Sequence, residues 1–115
     1  VHVVALESDA GLAARAKAAL AGRGNVSVKQ GDLGQGDRGQ TFDVIVIEGL
    51  VSHVPQSLIG QLAEGGRLVA VVGEGSGGKA TLWTKSAGTV SDREAFDAAI
   101  APLPGFARPR AAFEF

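Results

Sequence analysis

Residues 1–32 read VHVVALESDAGLAARAKAALAGRGNVSVKQGD and decide the fold class. The β-branched run Val1–Glu7 predicts a strand buried on both faces, as strands of a parallel sheet are. Leucines and alanines then recur at helical spacing, and Asn25–Gln30 alternates as a second strand that ends before Asp32. A strand, a helix and a strand in this order indicate a parallel α/β sheet with a right-handed crossover.

The alternation continues along the chain. Residues 33–41 contain three glycines and no periodicity, which is typical of a surface loop with room for a small ligand. Phe42–Glu48 is the clearest buried strand. Pro55 suits the first turn of a helix whose apolar side includes Leu62. Arg67–Gly73 predicts another strand that is parallel and covered on both faces.

The pattern changes near the end of the sequence. Glu74–Gly78 has the composition of a turn, and Ala80–Lys85 alternates like a hairpin strand. Val90–Ile100 is the expected return strand, with a helix from Asp92 as the alternative. Three prolines within residues 102–109 predict an extended tail. The fold class is therefore α/β, with an antiparallel hairpin at the C-terminal end.

Composition and charge limit the partners and the kinds of site that the chain can have. The chain has 115 residues, of which 45% are hydrophobic and 20% charged, as in one ordinary folded domain. Its net charge of −1 supplies no basic field, so neither nucleic acid nor a membrane surface is an expected partner. The absence of cysteine excludes disulfides and thiolate metal sites and favours the cytoplasm. No apolar run approaches the roughly 20 residues that span a bilayer.

Two acids end the first two predicted strands, where ligands of parallel sheets bind. The carboxylate of Glu7 offers two oxygens to the vicinal hydroxyls of a ribose, and Asp32 can accept from an adenine amino group. The alternatives are an acid stabilised by a helix N-terminus for Glu7 and an ordinary turn residue for Asp32. Because the acids lie one strand-helix-strand unit apart, together they predict a nucleoside site.

Four segments carry a family resemblance: VALE at 4–7, NVSVKQGD at 25–32, FDVIVI at 42–47 and VPQSLIGQLAEGGRLV at 54–69. In this order they resemble the back part of the protein-L-isoaspartate O-methyltransferases, which are class I S-adenosylmethionine-dependent enzymes. The last segment is the most specific. The resemblance implies an incomplete Rossmann-like methyltransferase sheet and methyl transfer to isoaspartyl residues of damaged proteins or peptides.

The resemblance also implies where S-adenosylmethionine binds. Methyl transfer to a carboxylate needs little acid–base chemistry, because the sulfonium is already activated, so we assign no catalytic residue. No metal is implied. The implied cofactor contacts are Glu7 for the ribose with Ser8 beside it, Asp32 and Leu33 for the adenine, and Glu48 and Gly49 near the methyl-donor end.

The sequence departs from the family pattern in two ways, and these bear on whether it forms a complete methyltransferase domain. Leu33 stands where the family usually has glycine or a small residue. The first strand, its glycine-rich loop and the substrate-binding segment of the family have no counterpart before Val1, which opens directly into a strand pattern with no leader. We therefore expect residues 1–115 to be part of one methyltransferase domain that is inactive alone.

The sheet order of the class adds a further expectation. Class I methyltransferases usually order their strands 3-2-1-4-5-7-6, with strand one in the centre. Without strand one, Val3–Leu6 and Val44–Ile47 lose their central neighbour. Since unpaired edges recruit other strands, the two either pair directly or associate with a second copy, and we favour a homo-oligomer.

Two other classes of protein remain open. A nicotinamide dehydrogenase also has an acid after its second strand, but its glycine-rich fingerprint lies about 20 residues before that acid. Only six residues precede Glu7. The second alternative is a non-catalytic module that keeps the fold for assembly. It is distinguished by whether S-adenosylhomocysteine raises the melting temperature.

Overall fold

The computed structural model describes residues 1–75, 77–98 and 101–106, so the predicted tail at Pro109 lies outside the described residues. Strands alternate with helices in the first half, and strands follow one another in the second. The elements are β1 Val3–Glu7, α1 Ala10–Ala19, β2 Val26–Gln30, a 3-10 helix Leu33–Gln35, β3 Phe42–Val51, α2 Gln56–Ile59, β4 Leu62–Glu74, β5 Gly77–Ser86 and β6 Thr89–Ala98.

The predicted strand-helix-strand unit is confirmed. β1 and β2 pair in parallel over their full length, from Val3 beside Val26 to Glu7 beside Gln30. Asp9 caps α1, since its Oδ2 accepts a hydrogen bond of 2.8 Å from the backbone N–H of Leu12. This unit forms a two-stranded sheet of its own.

The remaining four strands form a second sheet in the order β3-β4-β5-β6. β3 and β4 are parallel, and the two pairs that follow are antiparallel, which confirms the hairpin and the strand at 89–98. The order of the last strands differs from the usual order of the class, because β5 and not β6 lies beside β4. The reason is local: only two residues separate Glu74 from Gly77, and so tight a connection makes β4 and β5 partners.

The second helix is shorter than predicted. α2 has four residues, and Leu62 belongs to β4 instead. Backbone pairing with β3 overrides the helical spacing, because the N–H of Phe42 donates to the carbonyl of Gln61 at 2.7 Å and Phe42 is the register partner of Leu62. Leu62 is nevertheless fully buried, as its apolar character required.

The core lies on one face of the four-stranded sheet. Along β4, Leu68 and Ala70 are buried while Arg67 and Val69 are exposed, which is the alternation of a half-covered strand. Trp83 on β5 packs against this core. The buried cluster comprises Val51, Leu58, Leu62, Leu68, Ala70 and Phe106.

The opposite face is open, so the prediction that these strands are buried on both faces was wrong. Val44 and Val46 on β3 are 62% and 59% exposed, and Val69, the register partner of Val46, is 41% exposed. The physical reason is the position of the helices: α1 packs on β1 and β2, and Leu58 of α2 belongs to the core cluster. The valines of this open face therefore meet no described helix.

Within the described residues, no strand pairing joins β1 to β3, so the expected gap separates the two sheets. The Cα radius of gyration is 15.1 Å, larger than the roughly 13 Å of a compact domain of about 100 residues. Among the described residues, no helix combines the length and hydropathy needed to cross a bilayer.

The β5–β6 hairpin turns at Ala87 and Gly88, which both have positive φ angles of 51° and 77°. This is the backbone of a two-residue hairpin turn whose twist matches that of the strands. The carboxylate of Glu64 fixes the turn, since it accepts hydrogen bonds from the N–H groups of Ala87 at 2.5 Å and Gly88 at 2.9 Å. Alanine is strained at this φ because of its Cβ.

Ala87→Asn should stabilise the protein, because asparagine tolerates the left-handed conformation that alanine resists. We expect the free energy of unfolding in urea to rise by about 0.5–1 kcal/mol. Ala21→Asn, an exposed turn residue with no positive φ, is the matched control and should change it little. Equal effects at both positions would contradict this explanation.

Candidate functional site

The parallel register brings the two predicted acids to the same edge of the β1–β2 sheet. Glu7 is the register partner of Gln30, and the carbonyl of Glu7 accepts a hydrogen bond of 3.0 Å from the N–H of Gly31. Asp32 follows directly. The structure therefore gathers Glu7, Ser8, Asp32 and Leu33 at the carboxyl end of two adjacent strands.

Only one of the two carboxylate oxygens of Glu7 accepts hydrogen bonds from the described residues. Its Oε2 accepts hydrogen bonds from the backbone N–H of Asp9 at 3.0 Å and from the hydroxyl of Ser8 at 3.5 Å. Among the described residues, no donor reaches Oε1. The half-buried Glu7 thus supports the start of α1 with one oxygen and keeps the other for a further donor.

Asp32 likewise uses one carboxylate oxygen in a local hydrogen bond. Its Oδ1 accepts a hydrogen bond of 3.0 Å from the N–H of Gly34 and so caps the 3-10 helix. No donor within the described part of the chain reaches Oδ2, and the residue is exposed. The neighbouring Leu33 is half-buried and packs against the core cluster. Asp32 is thus both a turn residue and an available acceptor.

The segment after Asp32 is more ordered than a loop with three glycines suggests. The side-chain amide of Gln61 donates to the carbonyl of Gln35 at 2.8 Å and accepts from the N–H of Asp37 at 3.0 Å. The hydroxyl of Ser57 donates to the carbonyl of Gly34 at 2.5 Å. Sequence reasoning missed Ser57 and Gln61 as site elements, although they are two of the polar residues of the most specific motif, 54–69.

Glu48 and Gly49 lie elsewhere. They belong to β3 in the other sheet and fall within a register shift between Val46 and Leu50. The expected strand end at Glu48 was therefore wrong, because β3 continues through this bulge to Val51. Glu48 is exposed, and Gly49 is buried.

Gly49 leaves no space for a side chain. A Cβ at this position would lie 2.8 Å from the Cβ of Leu103. The segment that carries Leu103 pairs with β3 at a single residue: the N–H of Leu50 donates to the carbonyl of Ala101, and the N–H of Leu103 donates to the carbonyl of Leu50, both at 2.8 Å. This segment closes the edge of β3 at the bulge.

The same segment continues to the acids. A Cβ on Gly105 would lie 3.3 Å from Oδ1 of Asp32, and the carbonyl of Phe106 accepts a hydrogen bond from the hydroxyl of Ser52. Phe106 itself is buried in the core cluster. Residues 101–106 therefore connect the bulge of β3 with the turn at Asp32.

Neither Glu7 nor Asp32 lines either of two shallow cavities. One, of about 330 Å³, lies beyond the carboxyl ends of β3 and β4 and is lined by Leu50, Ser52, Glu74 and the 102–106 segment. The other, of about 620 Å³, lies along the β4–β5 hairpin near Lys79. The acids themselves stand at an open edge and not in either cavity.

Comparisons with known proteins define the class. The structure resembles a Plasmodium falciparum protein assigned as a protein-L-isoaspartate O-methyltransferase and solved with S-adenosyl-L-homocysteine, with a TM-score of 0.74 and 23% identity over 90% of this chain and 53% of that one. A second protein-L-isoaspartate O-methyltransferase structure gives a TM-score of 0.81 and 23% identity over 91% and 35% of the two chains. The fold is thus the α/β, Rossmann-like fold of these methyltransferases.

The family is also clear. The sequence model of the protein-L-isoaspartate(D-aspartate) O-methyltransferase family matches residues 1–105, and the chain belongs to this family. Protein-L-isoaspartate O-methyltransferase 1 of Rhodopseudomonas palustris is 49% identical over 75 residues, which are 63% of this chain and 31% of the relative. Protein-L-isoaspartate O-methyltransferase 2 of a Polaromonas species is 33% identical over 108 residues, 91% and 51% respectively. The chain thus spans a third to a half of these relatives.

Proposed function

We propose that this chain is part of an S-adenosylmethionine-dependent methyltransferase that methylates the carboxylate of isoaspartyl residues in proteins or peptides. The observation that carries the proposal is the family match over residues 1–105, which contains both acids at adjacent strand ends. Residues 1–115 then form part of one domain, and we propose the cytoplasm, which the composition favours, as its location.

The acceptor groups at the β1–β2 edge fit the nucleoside part of this cofactor. Oε1 of Glu7 and Oδ2 of Asp32 are acceptors that no described residue uses, and a nucleoside presents hydroxyl and amino donors. Glu7 would hold the ribose hydroxyls, with Ser8 fixing its carboxylate, and Asp32 with Leu33 would hold the adenine. Glu48 and Gly49 would line the methyl-donor end, where Gly49 offers only backbone atoms and a larger residue would meet Leu103.

Methyl transfer to a carboxylate requires little of these side chains beyond binding the cofactor. S-adenosylmethionine supplies, when bound, a methyl group that its sulfonium already activates. The acceptor carboxylate is ionised at neutral pH and needs no general base, so the protein contributes chiefly by orienting donor and acceptor. This agrees with a site whose two acids bind and orient and in which we assign no catalytic dyad.

The full-length protein should transfer a radiolabelled methyl group from S-adenosylmethionine to an isoaspartyl peptide, and not to the matched aspartyl peptide. The 115-residue chain alone should show no turnover, since it spans only a third to a half of its curated relatives. Absence of transfer by the full-length protein would contradict the proposed function. Turnover by the chain alone would show that its active site is complete.

Glu7→Ala should weaken binding of S-adenosylhomocysteine to the full-length protein about tenfold or more, because a lost hydrogen bond to a charged group costs roughly 1.5–3 kcal/mol. Calorimetry measures the affinity. Asp9→Ala is the matched control: it removes the cap of α1 next to the site but no proposed ligand contact, so it should lower stability and leave affinity within about twofold. Unchanged affinity in Glu7→Ala would remove Glu7 from the site.

We also propose that the 115-residue chain self-associates through β3. Val44 and Val46 expose most of their surface on β3, and residues 101–103 close its outer edge at Leu50. The open backbone before the bulge is a template for another strand, and an apolar surface beside it favours association. Direct pairing of β1 with β3, the other sequence-based expectation, does not occur in this structure.

Light scattering after size exclusion should find the chain as a dimer or larger. Val46→Lys should shift it to a monomer, because a charge on this face opposes strand addition. Phe96→Lys is the matched control, since Phe96 is equally exposed at 66% but lies on β6. A wild-type monomer with a cooperative melt, or equal effects of both substitutions, would exclude β3 as the interface.

A further inference from the structure

The proposed adenine contact depends on a loop that other residues hold in place. Asp32 begins this loop, which continues through the 3-10 helix to Asp37 and is called the 32–37 loop below. All its side-chain hydrogen bonds to α2 and the α2–β4 connection come from Ser57 and Gln61. These two residues therefore hold the loop against α2, while the ion pair between Lys29 and Asp37, at 3.0 Å, ties its far end to β2.

Gln61 has the central part in this arrangement. Its side chain is only 7% exposed, and both atoms of its amide are used: Nε2 donates to Gln35 and Oε1 accepts from Asp37. An amide is the side-chain group that can both donate and accept across this short gap. Glutamate would keep the acceptor for Asp37 but would oppose a carboxylate oxygen to the carbonyl of Gln35.

The loop also lies so close to its neighbours that two of its glycines leave no room for a larger side chain. A Cβ at Gly36, whose φ is 60°, would lie 2.4 Å from Oε1 of Gln61 and 2.7 Å from Cδ2 of Leu58. On the other side, a Cβ at Gly34 would lie 3.1 Å from the carbonyl oxygen of Gly105. The 32–37 loop is thus held between α2 and the 101–106 segment, with little freedom to shift.

We propose that Gln61 is a positioning residue for base recognition: its amide holds the 32–37 loop so that Oδ2 of Asp32 meets the amino group of adenine. This inference rests on the proposed function, because it assumes that an adenosyl cofactor binds at the β1–β2 edge. Gln61 touches no cofactor atom in this role. It acts on specificity for the base and leaves the ribose contact of Glu7 unaffected.

The test compares two ligands that differ at the base. S-adenosylhomocysteine carries the amino group that Asp32 would accept, and S-inosylhomocysteine carries a carbonyl oxygen there. The full-length wild-type protein should prefer the adenosyl ligand by about tenfold or more, because a site built for a donor rejects an analogue that lacks it. Gln61→Glu should reduce this preference to about twofold or less, mainly through lost adenosyl affinity.

Two further variants keep the test decisive. Gln56→Glu makes the same chemical change at an exposed residue of α2 that has no side-chain contact to the loop, so both affinities should stay within about twofold. Ser57→Ala removes only the hydrogen bond to Gly34 and should lower the preference in the same direction if Gln61→Glu does not fold, as judged by circular dichroism.

Each of the other possible results contradicts either the role of Gln61, the contact of Asp32 or the proposed function. Equal loss of both ligands in Gln61→Glu and Ser57→Ala would mean that these residues only stabilise the fold, and an unchanged preference in both would remove them from recognition. A wild-type protein that binds both ligands equally well would exclude the assumed contact of Asp32, and the inference with it. A wild-type protein that binds neither would contradict the proposed function itself.

Discussion

Ile45 on β3 and Leu68 on β4 are register partners in a parallel ladder, and the other parts of the molecule are assembled on this pair of strands. The ladder directs alternate side chains of both strands to one face, where Leu58 of α2 and Phe106 from the end of the described chain complete the core. Burial of a leucine or phenylalanine side chain contributes roughly 1.5–3 kcal/mol. Within the described residues this cluster has six buried members, so it depends on each of these segments.

The same ladder explains what is left open. Three side chains point away from the core and meet no described helix: Val44, Val46 and Val69. Within the described residues, the outer edge of β3 is closed only at Leu50. β1 and β2 form a separate sheet with their own helix. The strand-rich, half-covered shape of this chain thus follows from one face of the ladder being filled and the other not.

The candidate site shows how one residue can serve structure and ligand together. Glu7 and Asp32 each use one carboxylate oxygen for a local backbone N–H, and the other oxygen is the one that we propose for the cofactor. The most specific motif acquires a physical meaning in the same way. Its leucines, Leu58 and Leu62, build the core, and its polar residues Ser57 and Gln61 hold the loop that begins at Asp32.

The sequence by itself determined the strand-helix-strand unit, the hairpin at the end, the adjacency of Glu7 and Asp32 and the family, because periodicity, turn residues and motif order are local properties. Only the tertiary structure decided that Leu62 joins a strand, that Glu48 falls in a bulge and that Val46 is exposed. Each of these depends on which distant backbone or side chain is present as a partner. The part played by Gln61 belongs with them, since its two hydrogen-bond partners lie 24 and 26 residues away in the chain.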